Sequence, residues 1–337
     1  MVQQAIADLV AGRDLSADDA SGVMELIMTG EATPAQFGAF VTALRIKGET
    51  AEEIAGMARV MRDKALRVSI DDDLVDTCGT GGDGTHSINV STIAALVAVG
   101  AGMRVAKHGN RAITSAAGSA DVLEAAGVKI DLGPEGVERC LREVGVGFMF
   151  APTFHPAMRF AGPPRREIGI RTVFNILGPL TNPAGAQRQV LGVADGALGE
   201  KMAQVLRLLG SQHALVVHGE DGMDEVSISA PTQVWELKDG DIQAFTITPE
   251  DAGLSRASPE AIRGGTAQEN AAAMERVLSG EPGPHRDVVV LNAAAALVAG
   301  DAASDLANGA ALAAESIDSG RALAKLRAWV ELSSSLE

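Results

Sequence analysis

Tyrosine is absent from this chain of 337 residues, and aromatic residues make up only 3% of it. The two cysteines, Cys78 and Cys140, are too few for a disulfide framework or a cysteine-based metal site. No run of about 18 uncharged apolar residues is present, so we expect no membrane span. The first residues also lack the basic start and apolar segment of a secretory signal. These absences predict a soluble protein of the reducing cytoplasm.

Basic residues are scarce as well. The chain has 28 Lys and Arg against 44 Asp and Glu, which gives a net charge of −16. Because a nucleic-acid-binding surface needs a basic footprint, we expect no nucleic-acid partner. The 46% of apolar residues is ordinary for a globular protein, and the length allows a large core and more than one domain.

The most informative segment is glycine-rich and spans residues 78–92, with the sequence CGTGGDGTHSINVST. Four glycines surround Asp83, and glycine lets backbone N–H groups approach an anion because no Cβ intervenes. Asn89, Ser91 and Thr92 then begin a predicted helix, whose free N–H groups form a second anion site. The segment therefore predicts a ligand with two separated phosphate groups. It matches neither a Walker loop nor a dinucleotide fingerprint, and taken alone it is equally compatible with a flexible turn.

Hydrophobic patterning predicts an α/β protein with a small N-terminal α-helical domain and a large domain with a central mixed sheet flanked by helices. Residues 2–66 show four helical segments, with a proline start after Thr33 and a capping box at Thr50. Helices are also predicted over 264–334. The predicted strands cover 74–77, 103–106, 147–150, 189–193 and 214–217. Further strand-like pieces, at 226–229, 233–237 and 242–247, predict an antiparallel part with a turn at Asp239-Gly240.

Six further motifs accompany the glycine-rich segment. They are KHGNR (107–111), GSADVLE (118–124), FHPAM (154–158), RREIGIRT (165–172), NILGPLTNP (175–183) and GMDEVS (222–227). In this order, over nearly the whole chain, they resemble the anthranilate phosphoribosyltransferase family of tryptophan biosynthesis. The resemblance implies transfer of the phosphoribosyl group of 5-phospho-α-D-ribose 1-diphosphate (PRPP) to the amine of anthranilate, the second step of tryptophan biosynthesis from chorismate. Pyrophosphate leaves.

No classical acid–base residue is expected, since the arylamine is uncharged near neutral pH. Catalysis should come from positioning and from neutralising the leaving pyrophosphate, with Lys107 and metal ions supplying positive charge. A solvated side chain is the alternative reading of Lys107. The PRPP-binding residues that the resemblance implies are Gly79, Gly82, Asp83, Ser87, Asn89, Val90, Ser91, Thr92, Lys107, His108, Gly109, Asn110, Arg111, Ser115 and Ser119. For Ser115 and Ser119, a surface helix cap is the alternative.

The resemblance also implies magnesium, with two ions expected when the substrate is bound. Their ligands would be Ser91, Asp224 and Glu225, since Mg²⁺ prefers oxygen ligands and also holds substrate phosphates. Without the family context, adjacent carboxylates such as Asp224 and Glu225 indicate only exposed charge.

Anthranilate is expected to contact Gly79, Asn110 and Arg165, whose guanidinium suits a carboxylate. Further candidates are His108, His155 and Gly178, and aliphatic contacts are expected from Pro152, Met158 and Pro179. The neighbouring Arg166, Glu167 and Arg171 are expected to form structural pairs or face solvent. Two departures from the family pattern are Ala116-Ala117 and Pro163-Pro164, and the second pair is expected to stiffen the start of a crossing between domains.

The resemblance implies a helical domain over 1–68, completed by helices from about 164–185, and a large PRPP-binding domain over 69–163 and 186–337. It also implies a homodimer through the N-terminal helices, although the chain's own second domain could equally cover them. Three alternatives remain at this stage: a pyrimidine nucleoside phosphorylase, a phosphoribosyltransferase with another aromatic acceptor, and a nucleic-acid-binding homologue, which the acidic charge disfavours.

Overall fold

The computed structural model describes residues 1–112 and 116–336. The N-terminal part consists of the four predicted helices: Val2–Val10 (α1), Ala17–Thr29 (α2), Pro34–Lys47 (α3) and Ala51–Lys64 (α4). Capping boxes begin two of them. Thr50 Oγ1 accepts from Glu53 N at 3.2 Å, while the Glu53 carboxylate accepts from Thr50 N at 2.8 Å. Local polar residues thus fix where these helices begin.

A seven-stranded mixed sheet forms the centre of the rest of the chain. Its strands are Val75–Gly79 (β1), Val105–Gly109 (β2), Val146–Phe150 (β3), Arg188–Gly192 (β4), His213–Gly219 (β5), Thr232–Lys238 (β6) and Asp241–Ile247 (β7). The order is β3-β2-β1-β4-β5-β6-β7, with parallel pairing through β5 and antiparallel pairing beyond it. Asp239 and Gly240 both have positive φ in the tight β6–β7 turn. The predicted fold class is confirmed.

The predicted strand at 226–229 is wrong. Val226 and Ile228 are buried, but the backbone there pairs with side chains instead of a neighbouring strand. Val226 N donates to Asn292 Oδ1 and Ser227 N donates to Thr232 Oγ1, both at 2.9 Å. The alternating apolar pattern in this segment comes from a buried loop. The loop can be buried because side-chain acceptors satisfy its backbone N–H groups.

Eleven further helices, counted within the described residues, surround the sheet. They are Val90–Gly100 (α5), Ser119–Ala125 (α6), Pro134–Glu143 (α7), Ala151–Phe154 (α8), Met158–Ile168 (α9), Phe174–Leu177 (α10), Gly199–Leu208 (α11), Ala267–Leu278 (α12), Pro284–Ala299 (α13), Leu306–Asp318 (α14) and Arg321–Ser335 (α15). Among the helices described, none combines the length and the apolar composition needed to cross a membrane.

The two faces of the sheet belong to two separate cores. Leu215 and Val217 of β5 pack in the core that contains α5 and α13, whereas Ala214 and Val216 pack with α11 and the N-terminal helices. This alternation follows from the period of two along a strand. Burial on both faces explains why β5 carries the continuous apolar run Ala214–Val217.

A crossover segment, residues 158–185, runs between β3 and β4 and contacts the N-terminal helices through α9. Pro163 and Pro164, which are expected to stiffen the start of the crossing, lie inside α9. Neither proline can donate a helical hydrogen bond, yet Pro164 and Ala161 are buried against the helical core. Packing therefore stabilises α9 even though its two prolines would ordinarily interrupt a helix.

Candidate active site

Predicted site residues gather at one edge of the sheet, where the carboxyl ends of β1, β2, β4 and β5 lie side by side. Two loops meet there: the glycine loop (residues 80–89, after β1) and the acidic turn (residues 220–231, after β5). A Cβ on Gly192 would lie 1.6 Å from Asp224 O, and one on Gly79 would lie 2.3 Å from Asp224 Oδ2. Glycines at the ends of β4 and β1 therefore make room for the acidic turn.

The two predicted metal ligands of the acidic turn contact the two predicted anion sites. Asp224 Oδ2 accepts a 2.7 Å hydrogen bond from Gly81 N in the glycine loop. Glu225 Oε1 accepts a 3.1 Å bond from Ser91 N in the first turn of α5. Because 143 and 134 residues separate the partners in sequence, only the fold brings the acidic pair to the glycine-rich segment.

Electrostatics at the acidic turn favour a bound cation. Burial raises the pKa of Asp224, and the charge of Asp83 adds to that rise. Burial also raises the pKa of Glu225, where the neighbouring Asp224 charge adds and the Lys107 ammonium opposes it. Two ionised carboxylates are costly in such a place unless positive charge compensates them.

Across residues 1–112 and 116–336, no three His, Cys, Asp or Glu side chains cluster as a ready-made metal site. Asp224 and Glu225 provide two carboxylates, and the Ser91 hydroxyl is the nearby neutral oxygen that the sequence predicted. Mg²⁺ is typically held by one or two carboxylates together with water and substrate phosphates. The residues present therefore fit a magnesium ion that arrives with a phosphorylated ligand.

Lys107 is only 3% exposed, so it is not a solvated lysine. Its ammonium donates to Thr77 O and, at 3.3 Å, to Ser91 Oγ. The side chain thus lies on the α5 side of the sheet, directly beneath the first turn of that helix. A fixed cation is placed where the two predicted anion sites meet.

The remaining glycine-loop residues are held by one local contact and by contacts with distant parts of the chain. Asp83 accepts from Thr85 Oγ1 at 2.5 Å, and Ser87 forms an isolated bridge with Arg263. Asn89 donates to Ala117 O at 3.1 Å. Val90 and Thr92 are buried in the first turn of α5. Their backbone groups, and not their side chains, are therefore suited to contact a ligand.

In the loop after β2, Arg111 is expected to bind PRPP, and its guanidinium is already paired. The Arg111 guanidinium contacts Asp121 and Glu124 of α6, each at 2.8 Å, instead of the glycine loop. Ser119 Oγ donates to Asn110 O at 3.3 Å. Gly109 ends β2, and Ser115 lies outside the described residues. In this arrangement Arg111 is held by two carboxylates.

A cavity of about 420 Å³ lies between β2, α8 and the crossover segment. Its lining includes the predicted Asn110, Arg165, His108, His155 and Gly178, and the predicted aliphatic Pro152 and Met158. Pro179 does not line it. Residues that the sequence did not predict are Met61, Ala151, Pro156, Arg159, Arg166, Phe174 and Thr181. The sequence does not single out Met61 and Phe174, because each occupies an ordinary apolar position of a helix.

The cavity is positively charged but contains two neutral histidines. Burial lowers the pKa of Arg165, which has no carboxylate within 4.0 Å among the described residues. Burial lowers the pKa of His108 to about 3 and that of His155 to about 4. Since His108 Nδ1 lies 3.1 Å from Gly178 O, a carbonyl, Nδ1 carries the proton and Nε2 keeps a lone pair.

Two supporting residues were missed at the sequence level. Asp76 is fully buried and accepts from Asn182 Nδ2 at 2.8 Å and from His108 N at 3.3 Å. Arg171, expected to form a structural pair or face solvent, is exposed and also donates to Gly81 O and Gly82 O of the glycine loop. Both contacts join the crossover segment to distant parts of the chain, so no local sequence pattern predicts them.

Comparison with known proteins agrees with this architecture. Residues 3–65 match the helical bundle domain of a glycosyl transferase family, and residues 71–323 match its a/b domain. An anthranilate phosphoribosyltransferase of Chloroflexus aggregans is 62% identical over 98% of both chains. The crystal structure of the Thermus thermophilus anthranilate phosphoribosyltransferase is 46% identical, with a TM-score of 0.93 over 98% of this chain and 99% of that one.

The Saccharomyces cerevisiae anthranilate phosphoribosyltransferase has been solved in complex with PRPP and Mg. It is 30% identical, with a TM-score of 0.92 over 99% of this chain and 98% of that one. The same yeast enzyme in complex with 4-fluoroanthranilate is 28% identical by that alignment, with a TM-score of 0.90 and the same coverage.

Proposed function

The chain belongs to the anthranilate phosphoribosyltransferase family, and on that premise we propose that its site transfers the phosphoribosyl group of PRPP to the amine of anthranilate. The products are N-(5-phosphoribosyl)anthranilate and pyrophosphate. The observation that carries the proposal is the 2.7 Å bond between Asp224 and Gly81 N, which joins the acidic turn to the glycine loop. It assembles a phosphate site and a cation site in one place.

In this proposal the donor lies on the α5 side of the sheet edge. Lys107 and the N–H groups of the glycine loop and of the first turn of α5 bind its phosphate groups. The buried position of Lys107 supports this assignment, since its ammonium already lies 3.3 Å from Ser91 Oγ. Arg111 would have to leave Asp121 and Glu124 to take part.

Magnesium would be held by Asp224, Glu225 and Ser91 together with the donor's own oxygens, and we propose two ions. When bound, the ions neutralise charge on the departing pyrophosphate. The raised pKa values of both carboxyl groups support this, because a cation relieves the cost of their ionised forms.

Anthranilate occupies the cavity beside the crossover segment, with its carboxylate on Arg165. Because His108 and His155 are neutral, the net charge of the cavity comes from its arginines. This positive charge favours an anionic acid over a cationic amine as the ligand. Pro152, Met158 and Phe174 offer apolar surface to the ring. Gly79 and Asn110 complete the proposed contacts.

The reaction then needs little beyond positioning. The C1–O bond of the donor breaks and its electron pair leaves with pyrophosphate, while positive charge develops on the ribose. The amine lone pair forms the new N–C1 bond, and the resulting ammonium loses one proton to water or pyrophosphate. Holding both reactants at adjoining sites supplies much of the acceleration, and Lys107 stabilises the anionic leaving group.

An assay of anthranilate fluorescence tests the proposal. With PRPP and Mg²⁺, anthranilate should disappear with stoichiometric release of pyrophosphate, and without Mg²⁺ turnover should fall to background. Parallel reactions with thymidine and phosphate, and with other aromatic amines, test the phosphorylase and alternative-acceptor readings. Turnover of only one of those, with anthranilate left unchanged, would contradict the proposal.

We further propose the domain division at about residue 68, with the segment 164–185 completing the helical domain. The separate family matches over 3–65 and 71–323 support it. A homodimer through the helical domain and a cytoplasmic location complete the proposal. Val10 of α1 and Ile46 of α3 are 74% and 81% exposed, which supports an apolar contact there. Sedimentation equilibrium should give twice the 34.6 kDa chain mass.

A further inference from the structure

Arg171 connects the crossover segment to the glycine loop. It lies between α9 and α10, and its guanidinium donates to Gly81 O at 3.2 Å and to Gly82 O at 3.3 Å. The planar fork of arginine suits two neighbouring acceptors, since its N–H groups are fixed relative to one another. One side chain thus holds two consecutive peptide units of the loop.

The loop is shaped to receive this side chain. Gly82 has φ of +76°, and a Cβ on it would lie 2.4 Å from Arg171 Nη1. A side chain at position 82 would therefore be strained and would also displace the guanidinium. Among the ion pairs of residues 1–112 and 116–336, none involves Arg171, although the chain carries a net charge of −16. Its hydrogen-bonding capacity goes to the loop.

The contact fixes the direction of two backbone donors. In a trans peptide the C=O of one residue and the N–H of the next point in opposite directions. With the carbonyls of Gly81 and Gly82 turned to Arg171, the N–H groups of Gly82 and Asp83 point away from the crossover segment. Neither N–H has a protein acceptor among the described residues, whereas Gly81 N donates to Asp224. Two oriented donors are left available for a ligand.

We propose that Arg171 is a positioning residue for donor binding, which it serves by directing the N–H groups of Gly82 and Asp83 toward the diphosphate of the bound donor. This inference rests on the proposed function. Arg171 follows Arg165 by six residues in the same segment, so the element that lines the acceptor cavity also orients the donor loop.

The test compares R171A and R171K with wild type and with R139A, an exposed arginine of α7 whose ion pair within the described part of the chain is with Glu143. Calorimetry with PRPP and Mg²⁺ should show a Kd for R171A raised about tenfold, the loss expected for a charge-assisted hydrogen-bond pair. The KM for anthranilate should stay within twofold. R171K should recover part of the affinity, because an ammonium can hold one carbonyl at a time, and R139A should match wild type.

Amide exchange on the unliganded protein tests the contact without any substrate. The peptide covering residues 79–89 should exchange faster in R171A than in wild type, since the loop loses the side chain that holds the carbonyls of Gly81 and Gly82. An R171A protein that binds PRPP within twofold of wild type, or whose two KM values rise equally, would overturn the inference. Failure of wild type to bind PRPP would instead contradict the proposed function. If R171A does not fold, R171Q replaces it in the same comparison.

Discussion

Lys107 and His108 are consecutive residues of β2 whose side chains lie on opposite faces of the sheet. Lys107 reaches Ser91 on α5, whereas His108 reaches Gly178 O in the crossover segment. The alternation of a strand thereby places the proposed donor site and the proposed acceptor site on either side of one backbone. Two substrates bound at these proposed sites would approach each other at the strand's end.

Removing the acidic pair should abolish turnover without harming the fold. In D224N/E225Q we expect Mg²⁺-dependent activity to fall by about a hundredfold or more, because the cation loses its charged ligands. In Mg²⁺-free buffer near pH 7.5 the double variant should melt at a higher temperature than wild type, since the ionised carboxylate of the buried Asp224 is replaced by a neutral amide. Calorimetric melting and steady-state kinetics measure both.

The matched control for that experiment is E220Q, an exposed carboxylate of the same turn. It should leave both activity and melting temperature unchanged. Full Mg²⁺-dependent turnover in D224N/E225Q would remove the acidic turn from the proposed mechanism.

Arg165 should matter for the acceptor alone. In R165A we expect the KM for anthranilate to rise by about tenfold or more while the KM for PRPP changes little, since a charge-assisted bond to the carboxylate is lost. Stability should not fall, because burial already lowers the pKa of this guanidinium and no carboxylate pairs with it among the described residues. R207A, an exposed arginine of α11, is the control. Equal rises in both KM values would indicate a collapsed site.

Gly192 should be intolerant of a methyl group. G192A places a Cβ 1.6 Å from Asp224 O, so the acidic turn must move. We expect a loss of about 1–3 kcal/mol in the free energy of unfolding and weaker Mg²⁺-dependent PRPP binding. In contrast, a Cβ on Gly133 meets nothing within 4 Å, and its φ of −75° suits alanine. Because Gly133 is the N-cap of α7, G133A should cost less than about 1 kcal/mol in denaturant titrations and leave Mg²⁺-dependent PRPP binding unchanged. Equal behaviour of the two variants would refute the packing argument.

Acidification should destabilise the protein through its two buried histidines. Their folded pKa values, about 3 for His108 and about 4 for His155, lie below the ordinary 6.5. Below pH 6.5 the unfolded chain binds protons that the folded chain cannot. The free energy of unfolding should therefore fall as pH drops from 6.5 toward 4, by up to about 1.4 kcal/mol per pH unit for each histidine. H155Q should show a shallower slope, and an unchanged slope would contradict the assignment.

Much of the fold follows from local signals. The capping boxes, the two-residue turn at Asp239-Gly240 and the short strands that alternate with helices are short-range patterns, and the structure contains the elements they predict. The segment 226–229 is not a strand because side chains satisfy its backbone donors: Val226 N donates to Asn292, 66 residues away, and Ser227 N donates to Thr232. A local pattern cannot reveal a distant acceptor.

The candidate site, like the fold, is only partly predictable from the sequence. The family was identified from its ordered motifs, and the comparisons confirm it. The orientation of Arg171 toward the glycine loop, the Asp76–Asn182 bond beneath His108 and the pairing of Arg111 with α6 all depend on three-dimensional proximity. The spacing of residues in the sequence does not predict these contacts.

Binding of PRPP in the presence and absence of Mg²⁺, measured by titration calorimetry on the wild-type chain, tests the central claim most directly. The account predicts saturable uptake near one PRPP per chain with Mg²⁺ and much weaker uptake when a chelator removes the ion. It also predicts that D224N/E225Q loses the Mg²⁺ dependence. Equal affinity with and without Mg²⁺ in wild type, or no uptake at all, would contradict it.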